Sequence, residues 1–283
     1  MADYADIYGK RVKEFTDDPT LTSSYEGQVW YNENSGTLKS AVAIEAWSSG
    51  ASLTQSQRDG GYGSSTPSTA SWFAGGTSDP TRNVTRTQEW NGSGWSNGGN
   101  LNVGREEASG FGLVNAAALA GGSTYPPSAM KNEVEEYDGS SWTAVTALPA
   151  KRRLACGTGT QTTGLVGFGR TDPPATSGAN SATSLEYNGS SWTGGGTGST
   201  ARSAIAGSGT QTASLAFGGQ IPPNATPGAT EQYDGTSWTT VATMNTGRSN
   251  LGGSGTQTSA LAYAGFTPYS NKTESWDGTS WTN

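Results

Sequence analysis

The chain alternates short apolar runs with segments rich in Gly, Ser, Thr and Asn, and no helical period is visible from Ser48 onward. Between Arg202 and Val241 there are four short runs with strand character, and turn residues separate them. The last two runs flank Asp234-Gly235, a strong hairpin signal because a type I′ turn needs positive φ at both central residues. This pattern predicts four antiparallel strands, at Ser203–Gly207, Ala213–Phe217, Thr230–Tyr233 and Ser237–Val241.

The same unit occurs five times with nearly constant spacing. Each copy has an arginine 17 residues before a marker glycine, and each closes on an aromatic residue, a Gly turn and a tryptophan. Successive closing tryptophans lie 43 to 50 residues apart, a period typical of propeller blades. The arginines are Arg58, Arg105, Arg152, Arg202 and Arg248, the glycines are Gly75, Gly122, Gly169, Gly219 and Gly265, and the tryptophans are Trp95, Trp142, Trp192, Trp238 and Trp281.

These repeats predict an all-β fold, a five-bladed β-propeller of four-stranded antiparallel blades in residues 47–283. Trp47 precedes Arg58 by 11 residues, much as the other tryptophans precede the next arginine by 10. An alternative therefore stays open, in which the propeller has six blades and Ile44–Trp47, with a hairpin before it, forms an incomplete first one. The five full blades are expected at about 58–95, 105–142, 152–192, 202–238 and 248–281.

The repeated side chains have structural interpretations. The aromatic residue and the tryptophan of each unit stand five apart, as Tyr137 and Trp142 do, and should fill the space between neighbouring blades. Each arginine is expected to donate to backbone carbonyls of the adjacent blade, because a guanidinium offers five donors. The alternative is that the arginines form an axial ring of cations that binds an anion.

The loops divide into two sets. Because strand direction alternates, the loops after the first and third strands share one face, the uniform face, and those after the second and fourth share the other, the variable face. The uniform face repeats Gly-Thr-Gln-Thr in three copies and Asp-Gly or Asn-Gly in all five. Since individual loops on a rigid scaffold usually carry recognition, binding is expected on the variable face, without a prediction of particular residues.

Composition excludes several classes of function. The net charge is −7 and the 16 Lys and Arg residues are scattered, which argues against a nucleic-acid groove. No run of 18 apolar residues is present, so no membrane span is predicted, and the N-terminus lacks the pattern of a secretory signal. Cys156, the single cysteine, falls where most repeats have a small residue and is interpreted as a small buried side chain.

Catalysis is not predicted either. The chain has no histidine, which removes the commonest general base and metal ligand, and no catalytic residue, cofactor or metal site is expected. Most acids occupy repeated places, with Glu89, Glu136 and Glu186 just before the closing aromatic and Asp138, Asp234 and Asp277 in turns. The acids outside the repeat are Asp59, Asp79, Glu106, Glu107, Glu133 and Asp172, of which only Glu106 and Glu107 lie beside a predicted inner strand.

Residues 1–46 differ from the repeats. They hold 8 acidic and 4 basic residues, and Tyr4 to Phe15 alternates apolar and charged side chains, as in a short helix or arm. Gln28–Tyr31 and Thr37–Ser40 flank Asn34-Ser-Gly36 and predict a hairpin. An amphiphilic arm before a closed domain suggests an attachment element, and the alternative is that it packs on its own propeller.

An apolar strand that ends in Gly-Gly, followed by Tyr and Trp a few residues apart, resembles the kelch repeat. Kelch propellers usually have six or seven blades, so the five copies depart from that family's pattern. Gly75-Gly76, Gly121-Gly122 and Gly218-Gly219 match the repeat, whereas Gly167-Phe-Gly169 and Ala264-Gly265 are looser.

Nearly the whole chain resembles arrays in virion structural proteins of marine tailed phages, through Gly-Thr-Gln-Thr-x-x-Leu-Ala-Phe-Gly-Gly, Glu-x-Tyr-Asp-Gly-Thr-Ser-Trp and the preceding Glu26-Gly-Gln-Val-Trp-Tyr-Asn32. The resemblance implies a non-enzymatic protein of the bacteriophage virion, in capsid decoration or a tail fibre, fastened to other virion proteins by residues 1–46. Its variable loops would recognise a host-surface glycan or receptor, and its copies would form a homo-oligomer on the particle. The alternative function is a multivalent, lectin-like propeller that binds carbohydrate.

Overall fold

The structure is a computed structural model, and it describes residues 13–16, 29–35, 37–40, 50–63, 69–78, 80, 82–126, 128–172, 179–266 and 269–283. The chain forms two compact units, Met1–Ser49 and Gly50–Asn283. In the described residues the regular structure is entirely β. The strand expected at Ile44–Trp47 and most of the segment Tyr4–Phe15 lie outside the described residues.

Three short strands form the described part of the first unit: Lys13–Phe15, Val29–Asn32 and Thr37–Ser40. The first pairs parallel with the second, which pairs antiparallel with the third. The predicted hairpin is therefore confirmed, and Asn32 stabilises its turn because Oδ1 accepts from the Ser35 N–H at 2.8 Å. Residues 13–15 are extended, where a short helix was one of two expectations.

The second unit contains five antiparallel sheets arranged as the blades of a β-propeller, which confirms the predicted fold. Each blade is a meander of four consecutive strands. Blade 1 is Gly61–Tyr62, Ser71–Ala74, Thr87–Trp90 and Trp95–Asn97; blade 2 is Ser109–Leu113, Ala116–Ala120, Val134–Tyr137 and Trp142–Val145; blade 3 is Cys156–Thr160, Thr163–Gly167, Ala179–Tyr187 and Trp192–Arg202; blade 4 is Ala206–Gly209, Ser214–Phe217, Thr230–Tyr233 and Trp238–Val241; blade 5 is Gly252–Gly255, Ala260–Tyr263, Thr273–Trp276 and Trp281–Thr282. Lys151–Arg153 and Arg170–Asp172 extend blade 3, and Ser123–Thr124 pairs with Ala129–Met130 in a loop of blade 2.

The first strand of each blade lies innermost, beside the first strands of its neighbours. This close approach requires glycine at Gly110 and its equivalents Gly157, Gly207 and Gly253, since a Cβ on Gly110 would lie 2.5 Å from the Tyr62 carbonyl oxygen. Blade 1 has Tyr62 at the same position. Its hydroxyl lies near the Gly253 backbone of blade 5, so the last blade meets the first at this point.

A tryptophan from each of blades 2 to 5 packs against the preceding blade. Trp142 stacks on Tyr137 of its own blade, with ring centroids 4.9 Å apart, and meets Trp72 of blade 1 edge-on at 5.8 Å. Its indole N–H donates to the Thr87 hydroxyl of blade 1 at 2.8 Å. The prediction that Tyr and Trp fill the space between blades is confirmed. The corresponding edge contacts are Trp192 with Phe111, Trp238 with Phe168 and Trp281 with Phe217.

The glutamine of the Gly-Thr-Gln-Thr loop also joins blades. Gln161 Nε2 donates across the seam to the carbonyls of Ala117 at 3.0 Å and Tyr137 at 2.8 Å. Gln211 and Gln257 bind the preceding blade in the same way. The motif predicted a turn, and the structure adds that its amide satisfies two carbonyl acceptors of the neighbouring blade.

Trp142→Ala is expected to lower the free energy of unfolding by about 3–5 kcal/mol, because it removes a buried ring and its hydrogen bond to Thr87. Urea titration followed by circular dichroism measures the change. Tyr269→Ala is the matched control, since Tyr269 is 92% exposed and its loss should change stability by about 0.5 kcal/mol or less. Equal losses in the two variants would contradict this account of the seam.

Candidate functional site

Backbone pairing shows that blade 1 is offset by one residue from the predicted alignment. Arg58 pairs with Thr77 through its backbone, as Glu106 pairs with Ser123. Arg58 is therefore equivalent to Glu106, and Gln57 occupies the position of the repeated arginine. The prediction that Arg58 belongs to the arginine series is wrong.

The physical reason is a longer first hairpin in blade 1. In blade 1 the residues that form the first pair of this hairpin are two positions further apart in sequence than in blade 2. Arg58 lies one residue after the true equivalent of the arginine and Gly75 one residue before the true equivalent of the glycine. These two offsets cancel the insertion, so the 17-residue spacing of Arg58 and Gly75 is a coincidence. The structural equivalent of the marker glycine is Gly76. The pairs that define the two hairpins are Gly61–Ala74 in blade 1 and Ser109–Ala120 in blade 2.

Each of the four repeated arginines is buried in the blade that its own repeat unit forms; for Arg202 this is blade 4, although the residue also ends the long fourth strand of blade 3. Arg202 donates through Nη1 to the carbonyls of Gly218 at 2.9 Å and Ala229 at 2.7 Å, and through Nη2 to Glu231 at 2.6 Å. The prediction that the arginines donate to backbone carbonyls is confirmed. The prediction that these carbonyls belong to the adjacent blade is wrong, because the guanidinium joins the beginning of a repeat unit to the second and third strands of the blade that the same unit forms. With Arg105, Arg152, Arg202 and Arg248 at most 3% exposed, these arginines do not form an anion-binding axial ring.

A glutamate two residues before the closing aromatic neutralises three of these arginines. In blade 1 the pair is uncharged, because Gln88 Nε2 donates to Gln57 Oε1 at 2.9 Å. Blade 1 has glutamine at both positions, so an amide pair stands where blades 2, 4 and 5 have an arginine–glutamate ion pair. The glutamate was not recognised from the sequence, although its fixed distance from the aromatic was a usable signal. The charged pairs are Arg105–Glu135, Arg202–Glu231 and Arg248–Glu274.

Blade 3 keeps the arginine without the acid. Leu185 stands where the other blades have glutamate or glutamine, and Arg152 donates to the carbonyls of Phe168 at 2.5 Å and Thr183 at 2.8 Å. Burial lowers the pKa of Arg152 to about 10. This cation is held by carbonyl and hydroxyl dipoles of its own blade.

The acids just before the closing aromatic bind tyrosines of the next blade. Glu136 accepts from the Tyr187 hydroxyl at 2.8 Å, and Glu186 accepts from Tyr233 at 2.5 Å. Glu89 is bound by Tyr137 in the same manner. These carboxylates are therefore structural links between blades.

The turn acids stabilise their own hairpins. Asp138 Oδ1 accepts from the backbone N–H groups of Ser140 and Ser141, each at 2.8 Å. These hydrogen bonds hold the pKa of the Asp138 carboxyl well below its usual range, and equivalent bonds lower the pKa of Asp234 and Asp277. The carboxylates of these three turn aspartates therefore stay ionised in mildly acidic solution.

A ring of five residues, one from each blade, surrounds the axis on the variable face. All five have positive φ, between 49° and 59°. Four backbone hydrogen bonds of 2.7 to 2.9 Å run along the ring from blade 1 to blade 5, and in each of them the N–H of a ring residue from Glu107 to Asn250 donates to the carbonyl of the ring residue before it. In blade order the mouth ring is Asp59, Glu107, Leu154, Ala204 and Asn250.

Below the mouth ring lies a cavity of about 250 Å³, the axial cavity. The residues that follow the ring in sequence form its upper wall and are small or apolar. Ser109, Cys156 and Tyr62 line it further along the inner strands. The upper wall consists of Gly60, Ala108, Ala155, Ile205 and Leu251.

Ion pairs stand beside the mouth ring on blades 1 to 3. Glu107 accepts from Arg153 at 2.6 Å, and its neighbour Glu106 accepts from Arg82 at 2.7 Å. Asp59 lies 3.5 Å from Arg58, and both side chains are more than half exposed. The structure confirms that Glu106 and Glu107 flank an inner strand. It also shows that Asp59 is the blade 1 equivalent of Glu107, which the predicted alignment, wrong by one residue in blade 1, did not indicate.

Partial burial, and after it the nearby Glu107 carboxylate, raises the pKa of Asp59 above its usual value.

The other acids outside the repeat lie in variable loops, where Glu133 pairs with Lys131 at 3.4 Å and Asp172 with Lys151 at 3.8 Å. Asp79 lies outside the described residues.

The variable face carries exposed aromatic side chains. Tyr125 is 46% exposed in a blade 2 loop, where the Arg82 guanidinium lies 4.4 Å from its ring centroid. Asn83 of blade 1 bonds the Tyr125 backbone in both directions, at 2.7 and 2.9 Å. In blade 5, Phe266 and the 92%-exposed Tyr269 meet edge-on at 5.3 Å. These loops present different chemistry around one rim.

Cys156 is buried, as predicted. Its equivalent in blade 1 is Gly61, so the small-residue position holds in all five blades. Burial raises the pKa of its thiol to about 11, which keeps the sulfur protonated near neutral pH.

No protein-family model and no curated protein sequence matches the chain. Among solved structures, the chain is similar to the one titled "Structure of YjhT", with a TM-score of 0.66 and 12% identity over 81% of this chain and 84% of that one. This similarity supports the fold alone.

Across the described ranges, no helix is long and apolar enough to cross a membrane. The same ranges contain no group of three or more His, Cys, Asp and Glu side chains placed to hold a metal ion.

Glu231→Gln should destabilise the protein by about 3–5 kcal/mol, because it leaves the buried Arg202 without its counter-ion. Adding Arg202→Gln should recover much of that loss, since the double variant recreates the amide pair of Gln57 and Gln88. Denaturant titrations of the two single variants and the double variant give the coupling energy. A double variant as unstable as the sum of the singles would refute the equivalence of the two pairs.

The contribution of Tyr137 to stability should fall as the pH rises from about 10 to 12, whereas the lowered pKa of Arg152 acts in the opposite direction, so the effect is read from a variant of Tyr137. Burial and the hydrogen bond to Glu89 raise the pKa of Tyr137 to about 12, so the folded chain keeps a proton that an unfolded tyrosine loses near 10. The folded state then binds more protons, and each rise in pH favours unfolding. Tyr137→Phe should show a shallower decline in urea titrations over this window; an unchanged slope would rule out Tyr137 as a source.

Proposed function

We propose that the protein is a non-enzymatic structural protein of a tailed-phage virion, and that its propeller recognises the host surface through the variable loops. The observation that carries the proposal is the contrast between the two faces. On the uniform face, side chains such as Gln161 and Asp138 are bound within the propeller. On the variable face, Tyr125 and Tyr269 extend into solvent from loops that differ between blades.

The use of the acids supports a non-enzymatic role. Glutamates in repeated positions bind buried arginines or the tyrosines of the next blade, and the turn aspartates bind their own backbone. Glu106 and Glu107, the pair nearest the axis by sequence, are bound to Arg82 and Arg153. A carboxylate committed to an ion pair is poorly suited to proton transfer, for which a general base must be available to its substrate.

Residues 1–46 are proposed to fasten the protein to other virion proteins. Met1–Ser49 is a compact unit of its own. Residues 1–46 hold 8 acidic and 4 basic side chains, so they carry more than half of the chain's net charge of −7. Their resemblance to segments of phage fibre and appendage proteins supports the same role. Several copies fastened in this way would act together as a homo-oligomer on the particle, with the gain in avidity that multivalency provides.

A lectin-like propeller is the second candidate, and the exposed aromatics favour it. The repeated Tyr–Trp pairs lie in the seams between blades, so equal sugar sites on all five blades would not use them. Sugar rings would instead stack on Tyr125, Phe266 or Tyr269 of the variable face.

Deleting residues 1–46 should leave the propeller folded but prevent its incorporation into phage particles, measured by co-sedimentation and immunoblotting. The matched variant is the full chain with Phe266→Ala and Tyr269→Ala, which should be incorporated normally but bind host cells less well. Incorporation of the shortened chain would exclude attachment through residues 1–46. Unchanged host binding by the double variant would exclude recognition through these aromatics.

Titration of the isolated propeller with host polysaccharide separates the two candidates. Saturable binding that Tyr269→Ala weakens would favour the lectin. Binding to cells but not to polysaccharide would favour recognition of a protein receptor by a virion component.

A further inference from the structure

The mouth ring has a polar side and an apolar side. Asn250, Asp59 and Glu107 belong to blades 5, 1 and 2, so they occupy three consecutive places around the axis. Leu154 and Ala204 occupy the remaining two places. The rim of the axial cavity therefore has one amide-bearing and two carboxylate-bearing residues on one side and two apolar residues on the other.

The side chains directly below the ring are apolar, and Ser109 and Tyr62 line the cavity further along. Ala108, Ala155, Ile205 and Leu251 line the cavity just beyond the mouth, and no charged side chain of the described residues lines it deeper than the ring. A volume of about 250 Å³ is below the roughly 300–1,000 Å³ of pockets for drug-sized molecules. The space therefore suits one small ligand with an apolar portion.

Of the two carboxylates at the mouth, Asp59 is the one available to a ligand. Glu107 is held by Arg153 at 2.6 Å and also accepts from the Ser123 hydroxyl at 3.0 Å. The cation nearest Asp59 is Arg58, at 3.5 Å and 63% exposed. Such a solvated pair is weak, so a ligand cation can replace Arg58 at little cost.

We propose that the axial cavity binds an aliphatic primary ammonium ion. The ammonium group is held at the mouth by Asp59, with Glu107 adding negative potential and Asn250 offering an amide oxygen. The alkyl chain enters the cavity and packs against Ile205 and Leu251. This site is independent of the proposed virion role, and its presence or absence leaves that role unaffected.

The raised pKa of Asp59 agrees with this arrangement, because the partial burial of this half-exposed carboxyl and the negative potential of Glu107 both raise it. Both favour a cation beside Asp59. Arg82 is engaged by Glu106 and Arg153 by Glu107, so neither of these cations is directed at the carboxyl.

Isothermal titration calorimetry of the full chain with n-hexylammonium tests the site, with 1-hexanol and hexanoate as probes of the same length. The ammonium ion should bind at least about tenfold more tightly than either, since a hydrogen bond to a charged group is worth about one decade or more. Across methyl-, butyl- and hexylammonium, affinity should rise by up to about fourfold per CH₂ buried.

Asp59→Asn should weaken hexylammonium binding by about tenfold or more. The matched control is Asp277→Asn on the uniform face, where blades 1 and 3 already carry Asn91 and Asn188 at the equivalent position. That control should bind normally, with unchanged near-ultraviolet circular dichroism in both variants. Absence of binding, equal binding of hexanoate, no dependence on chain length, or equal losses in the two variants would each overturn the proposal. If Asp59→Asn fails to fold, the probe series on the unmodified chain decides.

Discussion

The enclosed guanidinium at the start of a blade is the interaction on which the rest of the propeller depends. A charge with no access to water needs compensating partners, so the terminal nitrogens of the guanidinium fix the positions of the groups around them, while Nε is left without a hydrogen bond. Here the guanidinium ties the segment before the first strand to the second and third strands of the same sheet. The residue two places later, such as Glu107 after Arg105, is thereby delivered to the ring around the axis. Blade 1 achieves the same geometry without charge, through Gln57 and Gln88.

The number of blades and their internal order could be predicted from the sequence because both are written in local, repeated signals. Asp-Gly and Asn-Gly turns specify hairpins, and the spacing of tryptophans specifies the period. Alignment of the first blade could not be predicted, because Arg58 happens to follow the true equivalent, Gln57. Hydrogen-bond partners were equally hidden: a guanidinium can reach carbonyls of its own blade or of a neighbour, and spacing does not distinguish the two.

Less of the candidate site was accessible. The placement of Glu106 and Glu107 beside an inner strand followed from their position before an apolar run. Asp59 and Asn250 became their neighbours only when five separate segments converged on the axis, which no local pattern records. The cavity depends on the same convergence, and so does the division of its mouth into a polar and an apolar side. Loop variability led to the hypothesis that recognition lies on the variable face, whereas the exposure of particular aromatic residues on that face depends on how each loop is anchored.

Every sheet of the propeller is made from one uninterrupted stretch of chain, and Tyr62 with Gly253 supplies a side-chain contact where the last sheet meets the first. Within the described residues, no strand is exchanged between the two ends. A whole module can thus be duplicated or lost by a single in-frame event without tearing a sheet, and only the curvature of the ring has to adjust. Such an architecture lets a lineage change the circumference of its toroid, and with it the width of the central opening, while the internal design of each module stays the same.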